Sequence, residues 1–250
     1  MSNKIAIITG ASRGLGKNTA LHLARQGVDI IGTYHSREDE AQSVVAEIEA
    51  LGGKAKMLRL DVGNSGQFDV FVTQIAALLK AYFQAERIDF LVNNAGIGLY
   101  ASCAETTEAQ FDQLVNVHFK GPFFLTQKLL PLLADGGRIV NLSSGLARFS
   151  PVGYAAYASM KGAIEVWTRY LAKELGPRGI TVNAIAPGAL HNIDVERLYV
   201  ISVPDVPPAV THGHHRIHRW LNDNDFTSLP DDLLATARVN HTMYGRRIAG

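Results

Sequence analysis

The chain has 250 residues, 47% of them apolar, and its 24 basic and 23 acidic side chains leave a formal charge of +1. So small a net charge provides no field to hold a nucleic-acid backbone or an anionic membrane, and no apolar run approaches the roughly 20 residues that cross a bilayer. Cys103 is the single cysteine and has no intrachain partner; with no leader-like segment before Ile5, the expectation is a protein of the reducing cytoplasm.

Short β-rich apolar runs alternate with stretches of helical period. Strands are predicted, in chain order, at Lys4–Thr9, Asp29–Tyr34, Lys54–Leu60, Asp89–Asn93, Gly137–Leu142 and Thr181–Ala186. After the first, Leu15, Thr19, Leu23 and Ala24 recur at helical spacing; after the second, Ala41, Val44, Val45, Ile48 and Leu51 share one helical face. A further helix is expected over Ala155–Leu175, with Met160, Ile164, Trp167 and Leu171 as its buried stripe. Right-handed crossovers then build an α/β, Rossmann-type doubly wound parallel sheet of order 3-2-1-4-5-6, helices on both faces, in a single domain. Ligand is expected at the switch point, beside the carboxyl end of the first strand. Residues 1–190 read as this core, and 191–250 as a divergent C-terminal segment in which prolines and histidines crowd and periodicity fades.

The first strand runs directly into Thr9-Gly10-Ala11-Ser12-Arg13-Gly14-Leu15-Gly16 and then into a helix. Glycine permits a tight turn and close approach of a diphosphate, while free amides and the dipole at the helix start favour negative charge. The plainer reading is a tight strand-to-helix connection. Tyr157 and Lys161 stand four apart on the expected helix and so project from one face. A phenol can bind a developing alkoxide and give it a proton, and a nearby ammonium lowers the phenol's pKa. Taken alone, the pair could equally be an ordinary surface pair.

Further positions narrow the choice: Asn93-Asn94-Ala95-Gly96 closes the fourth strand, Asn116 follows it, and Ser144 follows the fifth, thirteen residues before Tyr157. Together with Gly10-x-x-x-Gly14-x-Gly16, the set resembles the short-chain dehydrogenase/reductase family from about Lys4 to Gly188, and is similar to its bacterial 3-oxoacyl-carrier-protein reductases and related carbonyl reductases. The resemblance implies an oxidoreductase that reduces a ketone or aldehyde to an alcohol by hydride transfer. Tyr157 would be the general acid, Lys161 would hold the nicotinamide ribose, Ser144 would bind the substrate oxygen and Asn116 would hold a relay water. The plainer readings are a turn-capping hydroxyl for Ser144 and a polar residue at a helix kink before Gly121-Pro122 for Asn116. The glycine turn, with Ser12, Arg13 and Leu15, would cradle the cofactor; Asp61 and Val62 would flank the adenine; Asn93, Ala95 and Gly96 would line the cleft; Pro187 and Gly188 would lie beside the nicotinamide.

At the end of the second strand the sequence offers His35-Ser36-Arg37 and no acidic residue, and Arg13 adds a cation, so NADP(H) is expected over NAD(H). The competing account has Arg37, followed by Glu38, Asp39 and Glu40, merely opening a solvated helix.

Beyond Leu190 the family's lid and last strand are not legible, and no seventh strand is placed; the segment reads either as a divergent lid or as a tail coded out of the ancestral frame. His212, His214, His215 and His218 lack a completing carboxylate or cysteine, so no metal is expected, and Cys103 reads as a small packing residue. A homodimer or homotetramer is expected from the resemblance. The alternative function is a nucleotide-binding protein without turnover.

Overall fold

The computed structural model describes residues 3–187. Six strands, β1 (Ile5–Ile8), β2 (Asp29–Tyr34), β3 (Ala55–Arg59), β4 (Ile88–Asn93), β5 (Leu133–Leu142) and β6 (Thr181–Ile185), form one parallel sheet. Their order is β3-β2-β1-β4-β5-β6, with the switch point between β1 and β4. All residues of β1 and β2 are buried, as strands covered on both faces must be.

Alternate side chains of β1 feed two separate cores. Ile5 and Ile7 join Phe68, Ile75, Leu125, Ile164 and Trp167, from helices α3 (Phe68–Leu78), α5 (Gly121–Leu129) and α6 (Ala155–Leu175). Ala6 and Ile8 join Ala20, Ala24, Val44 and Ile48, from α1 (Gly14–Arg25) and α2 (Glu38–Ala50). Helix α1 seats itself through Gly16, Ala20 and Ala24, four apart, whereas Leu15, Thr19 and Leu23 of the expected face are only half-buried. The reason is that the glycine turn holds the start of the helix too close to the sheet for larger side chains. In α2, Leu51 falls past the last turn and is exposed; in α6, Met160 is half-buried while Ile164, Trp167 and Leu171 are buried.

Strand β5 begins four residues earlier than predicted, because Ile88 pairs with Leu133 while Phe90 pairs with Arg138. The extra residues are absorbed at Gly136, with φ of +75°, and Gly137, where a Cβ would come within 2.8 Å of the Asp89 carbonyl oxygen. Helix α4 (Glu108–Val115) runs through a π-helical turn at Asn116–Lys120 into α5. Cys103 is exposed, which corrects the expectation that it packs. The predicted boundary at 190/191, the missing seventh strand and the histidine cluster lie outside the described residues. Among the described residues no helix is long and apolar enough to cross a membrane.

Candidate active site

At the carboxyl ends of β1 and β4, three side chains stitch the glycine turn to its neighbours. The Thr9 hydroxyl accepts from the Asn94 and Ala95 amides, both at 3.0 Å. Asn94 donates from Nδ2 to the carbonyls of Thr9 (2.8 Å) and Gly10 (3.1 Å). The Gly10 amide donates to Thr33 Oγ1 at 3.1 Å, and the Ala11 amide to the Thr33 carbonyl at 2.8 Å. With its outward groups satisfied in this way, the turn is held before any ligand arrives. At Gly16 a Cβ would come within 2.5 Å of Asn94 Nδ2 and 2.9 Å of the Gly10 carbonyl carbon, so only glycine fits.

A cleft of about 880 Å³ opens beside this turn. It is lined by Gly10 and Ser12 through Gly16, then by Thr33 through Arg37, and then by Leu60 through Gly63. Farther along lie Asn94 through Gly98, Asn116 through His118, Leu142 through Ser144, Tyr157, Lys161 and Pro187. The expected residues Asp61, Val62, Ala95, Gly96, His35 and Ser36 therefore share one cavity with the expected catalytic four. Gly188 lies outside the described residues.

Asn93 is the exception. Its side chain is buried in the sheet, donating to Thr126 Oγ1 (3.0 Å) and Asn141 Oδ1 (2.8 Å), while Asn141 donates to Thr168 Oγ1 (2.9 Å). Side chains alternate along a strand, so Asn93 faces the core and the neighbouring Asn94 takes the cleft. The chain Asn93–Asn141–Thr168 ties β4 and β5 to α6, the helix that carries Tyr157 and Lys161. Thr9, Thr33, Asn94, Asn141 and Thr168 are positioning residues that the sequence reading missed; the only signal was polar residues at strand ends and on a buried helical stripe.

Ser143 and Ser144 divide their work. Ser143 is buried, bonds Glu165 Oε1 at 2.8 Å and lies 3.2 Å from the Lys161 carbonyl, so it secures the loop. Ser144 accepts from the Leu146 amide at 3.2 Å, as a turn-capping hydroxyl does, and its hydroxyl also acts on the Tyr157 phenol, favouring ionisation. Asn116 opens the π-helical turn. That turn fits because residue 121 is glycine: a Cβ there would come within 2.8 Å of the Asn116 carbonyl oxygen and 3.1 Å of the Val62 carbonyl carbon.

A family model for short chain dehydrogenases matches residues 4–196. The chain belongs to this family. A hydroxynaphthalene reductase-like protein of Metarhizium brunneum is 37% identical over 195 residues, covering 76% of this chain and 69% of that one. Among solved structures, the promiscuous reductase LugOII, which catalyses keto-reduction at C1 in lugdunomycin biosynthesis, is 41% identical with a TM-score of 0.72, covering 75% of this chain and 74% of its own. The landomycin C-6 ketoreductase LanV, solved with NADP and rabelomycin, is 38% identical with a TM-score of 0.73, covering 75% and 77%.

In this short-chain dehydrogenase, the electrostatics of the tyrosine and lysine differ from the simple expectation. Lys161 lies on the same helical face as Tyr157, its Nζ 5.6 Å from the ring centroid, but it donates to the Leu142 carbonyl at 2.6 Å. Burial pushes the Tyr157 phenol up, and only the influence of the Ser144 hydroxyl opposes this. Burial likewise pulls Lys161 down to about 8. Both shifts have one cause: a low-dielectric site disfavours whichever form is charged, and at this distance the ammonium does not outweigh it.

The cationic and histidine side chains near the glycine turn and the end of β2 are spread out. Arg13 stands at the start of α1; Arg37 Nη1 pairs with Glu40 Oε1 at 2.8 Å; His35 Nε2 lies 3.9 Å from Asp61 Oδ2. Among the described residues no group of three or more His, Cys, Asp or Glu is placed to hold a metal ion.

Proposed function

We propose that this chain reduces a ketone to an alcohol with NADPH, Tyr157 supplying the proton. The observation that carries the reading is the convergence of Tyr157, Lys161, Ser144 and Asn116 with the glycine turn in one cleft. Whether a dinucleotide fits is tested by the glycines: a Cβ at Gly10 would meet Ala95 Cα at 3.0 Å and one at Gly16 would meet Asn94 Nδ2 at 2.5 Å, so only glycine lets the turn fold this tightly and bring its backbone to the edge of the cleft. The residues present fit it. When bound, the cofactor supplies the hydride. Arg13, Ser36 and Arg37 would hold its ribose phosphate, Asp61 and Val62 its adenine, and Pro187 would lie beside its nicotinamide; LugOII and LanV are named as ketone reductases, and LanV holds NADP.

The chain's own groups account for the proton. A donor must be protonated before transfer, and burial keeps the Tyr157 phenol so. Ser144, which lines the same cleft as the phenol, would share the substrate oxygen. The Lys161 ammonium, one helical turn away, stabilises the phenolate left behind, and Asn116 lies in the same cleft to return the proton through water. The same balance makes alcohol oxidation, which needs the phenolate first, the direction of alkaline pH.

For substrate, a ketone on a fused aromatic ring fits better than a carrier-protein-bound 3-oxoacyl chain. Tyr154, one turn before Tyr157, and Tyr100, two residues past Gly98, form an edge-to-face pair with centroids 5.3 Å apart. Tyr100 is 71% exposed and lies flat on Gly153, so it presents a ready stacking surface. Exposed Phe111, Phe124, Val166 and Tyr170 on α4, α5 and α6 support a homodimer, which light scattering would report.

The deciding experiment follows NADPH oxidation with a panel of aromatic, aliphatic and thioester ketones, using wild type and Tyr157→Phe. Turnover in the wild type alone, with NADPH binding retained in the variant, is the expected result. Turnover surviving the substitution refutes the proton assignment, and binding without any turnover favours a nucleotide-binding protein.

A further inference from the structure

His118 takes no part in the steps above, yet it is one of the most enclosed groups at the cleft, 2% exposed. Its ring lies between two functional elements. On one side Nε2 is 2.8 Å from the Ile97 carbonyl oxygen and 3.2 Å from the Ile97 amide nitrogen. One ring nitrogen cannot both donate and accept, and the shorter contact is to an oxygen that only accepts, so Nε2 carries the hydrogen. Among the described residues, this bond from Nε2–H to the Ile97 carbonyl is then the hydrogen bond that holds the backbone from Gly96 to Gly98. The ring also rests on Gly96, where a Cβ would come within 2.8 Å of Cε1. On the other side it meets the Tyr157 ring edge to face, with centroids 5.0 Å apart and planes at 80°.

We infer that His118 is a positioning residue that holds the cleft loop Gly96–Gly98 through its Nε2–H and sets the plane of the Tyr157 ring through its own. The inference rests on the reading of Tyr157 as proton donor for its second half; the first half concerns cofactor binding alone. The ring acts as a neutral imidazole, because a cation here would stand unpaired in the interior and repel Lys161. Burial and that repulsion do keep it neutral, holding its pKa at about 4. Its Nδ1 is a buried acceptor without a partner among the described residues, consistent with a ring retained for its shape and its one donor.

Two substitutions separate the two contacts. His118→Phe keeps a ring against Tyr157 and removes the donor; the loop loosens, the Kd for NADPH rises about tenfold and kcat stays within about twofold. His118→Gln keeps an N–H within reach of Ile97 and removes the ring; kcat falls about tenfold while the Kd for NADPH stays near wild type. Binding is read by NADPH fluorescence, which needs no turnover. Equal changes of kcat and Kd in both variants, or no change in either, overturn the inference. If wild type binds NADPH without turning over, an unchanged Kd in His118→Phe still overturns the loop half, while the proton-donor reading fails by its own assay. Imidazole nitrogen NMR of the unmutated protein gives a check free of any folding defect: the Nε2–H tautomer is expected, and an Nδ1–H or cationic ring overturns the clamp.

Discussion

Gly16→Ala is the substitution from which the fold leaves least escape. The added methyl would come within 2.5 Å of Asn94 Nδ2 and 2.9 Å of the Gly10 carbonyl carbon, where ordinary contact begins at 3.4 Å. Neither neighbour is a flexible chain end: Gly10 is main chain at φ +67°, and the Asn94 amide is held by two carbonyls. Helix α1 must therefore retreat from the turn by roughly 1 Å, and overpacking of this kind costs about 1–3 kcal/mol. For a chain of this length that lowers Tm by about 2–12 °C. The retreat also misaims the amides at the helix start, and losing one charge-assisted hydrogen bond of about 1.5–3 kcal/mol weakens NADPH binding roughly 10–150-fold. Gly14→Ala is the control. Residue 14 has φ of +56° but nothing of the protein within 4 Å of its Cβ, so its folding cost is only left-handed strain of about 1–2 kcal/mol, and because it lines the cleft it serves as control for melting and not for affinity. Thermal unfolding and NADPH fluorescence titration of both variants test the reasoning. A Gly16→Ala protein with wild-type melting and wild-type affinity would refute it.

Other outcomes follow from the same geometry. Because Lys161 is charged only below its pKa of about 8, ketone reduction should fall as pH rises through that value; a flat profile of kcat from pH 7 to about 9 contradicts this. His118 binds its proton far less readily folded than unfolded, so stability rises with pH between about 4 and 6.5 and is lost on acidification. At 1.36 kcal/mol per unit the loss below pH 4 is about 3 kcal/mol, and urea titrations should show wild type losing about that much more stability than His118→Gln between pH 6.5 and 4. Asn141→Ala takes from the Asn93 amide one of its two acceptors, Thr126 remaining, and removes a donor to Thr168, costing about 1–3 kcal/mol by calorimetry. Arg13→Ala should raise the Kd for NADPH about tenfold or more and leave that for NADH unchanged; equal effects on both would place the ribose phosphate elsewhere.

The architecture was legible in the residue pattern because a parallel sheet covered on both faces writes itself as short apolar runs between amphipathic helices. Strand order, the helix Ala155–Leu175 and the grouping of Tyr157 with Lys161 follow from period and spacing alone. The family motifs, local in sequence, named the cleft's outline for the same reason. What period could not reach were contacts made across the sheet. Asn93 and Asn94 are adjacent and chemically identical, yet pleating buries one in the core and turns the other to the glycine turn. The early start of β5 depends on where Ile88 finds its partner, and the seating of α1 on glycine and alanine depends on how close the turn brings it to the sheet. The protonation of Tyr157, Lys161 and His118 likewise depends on burial, a property of the packed interior that no window along the chain contains.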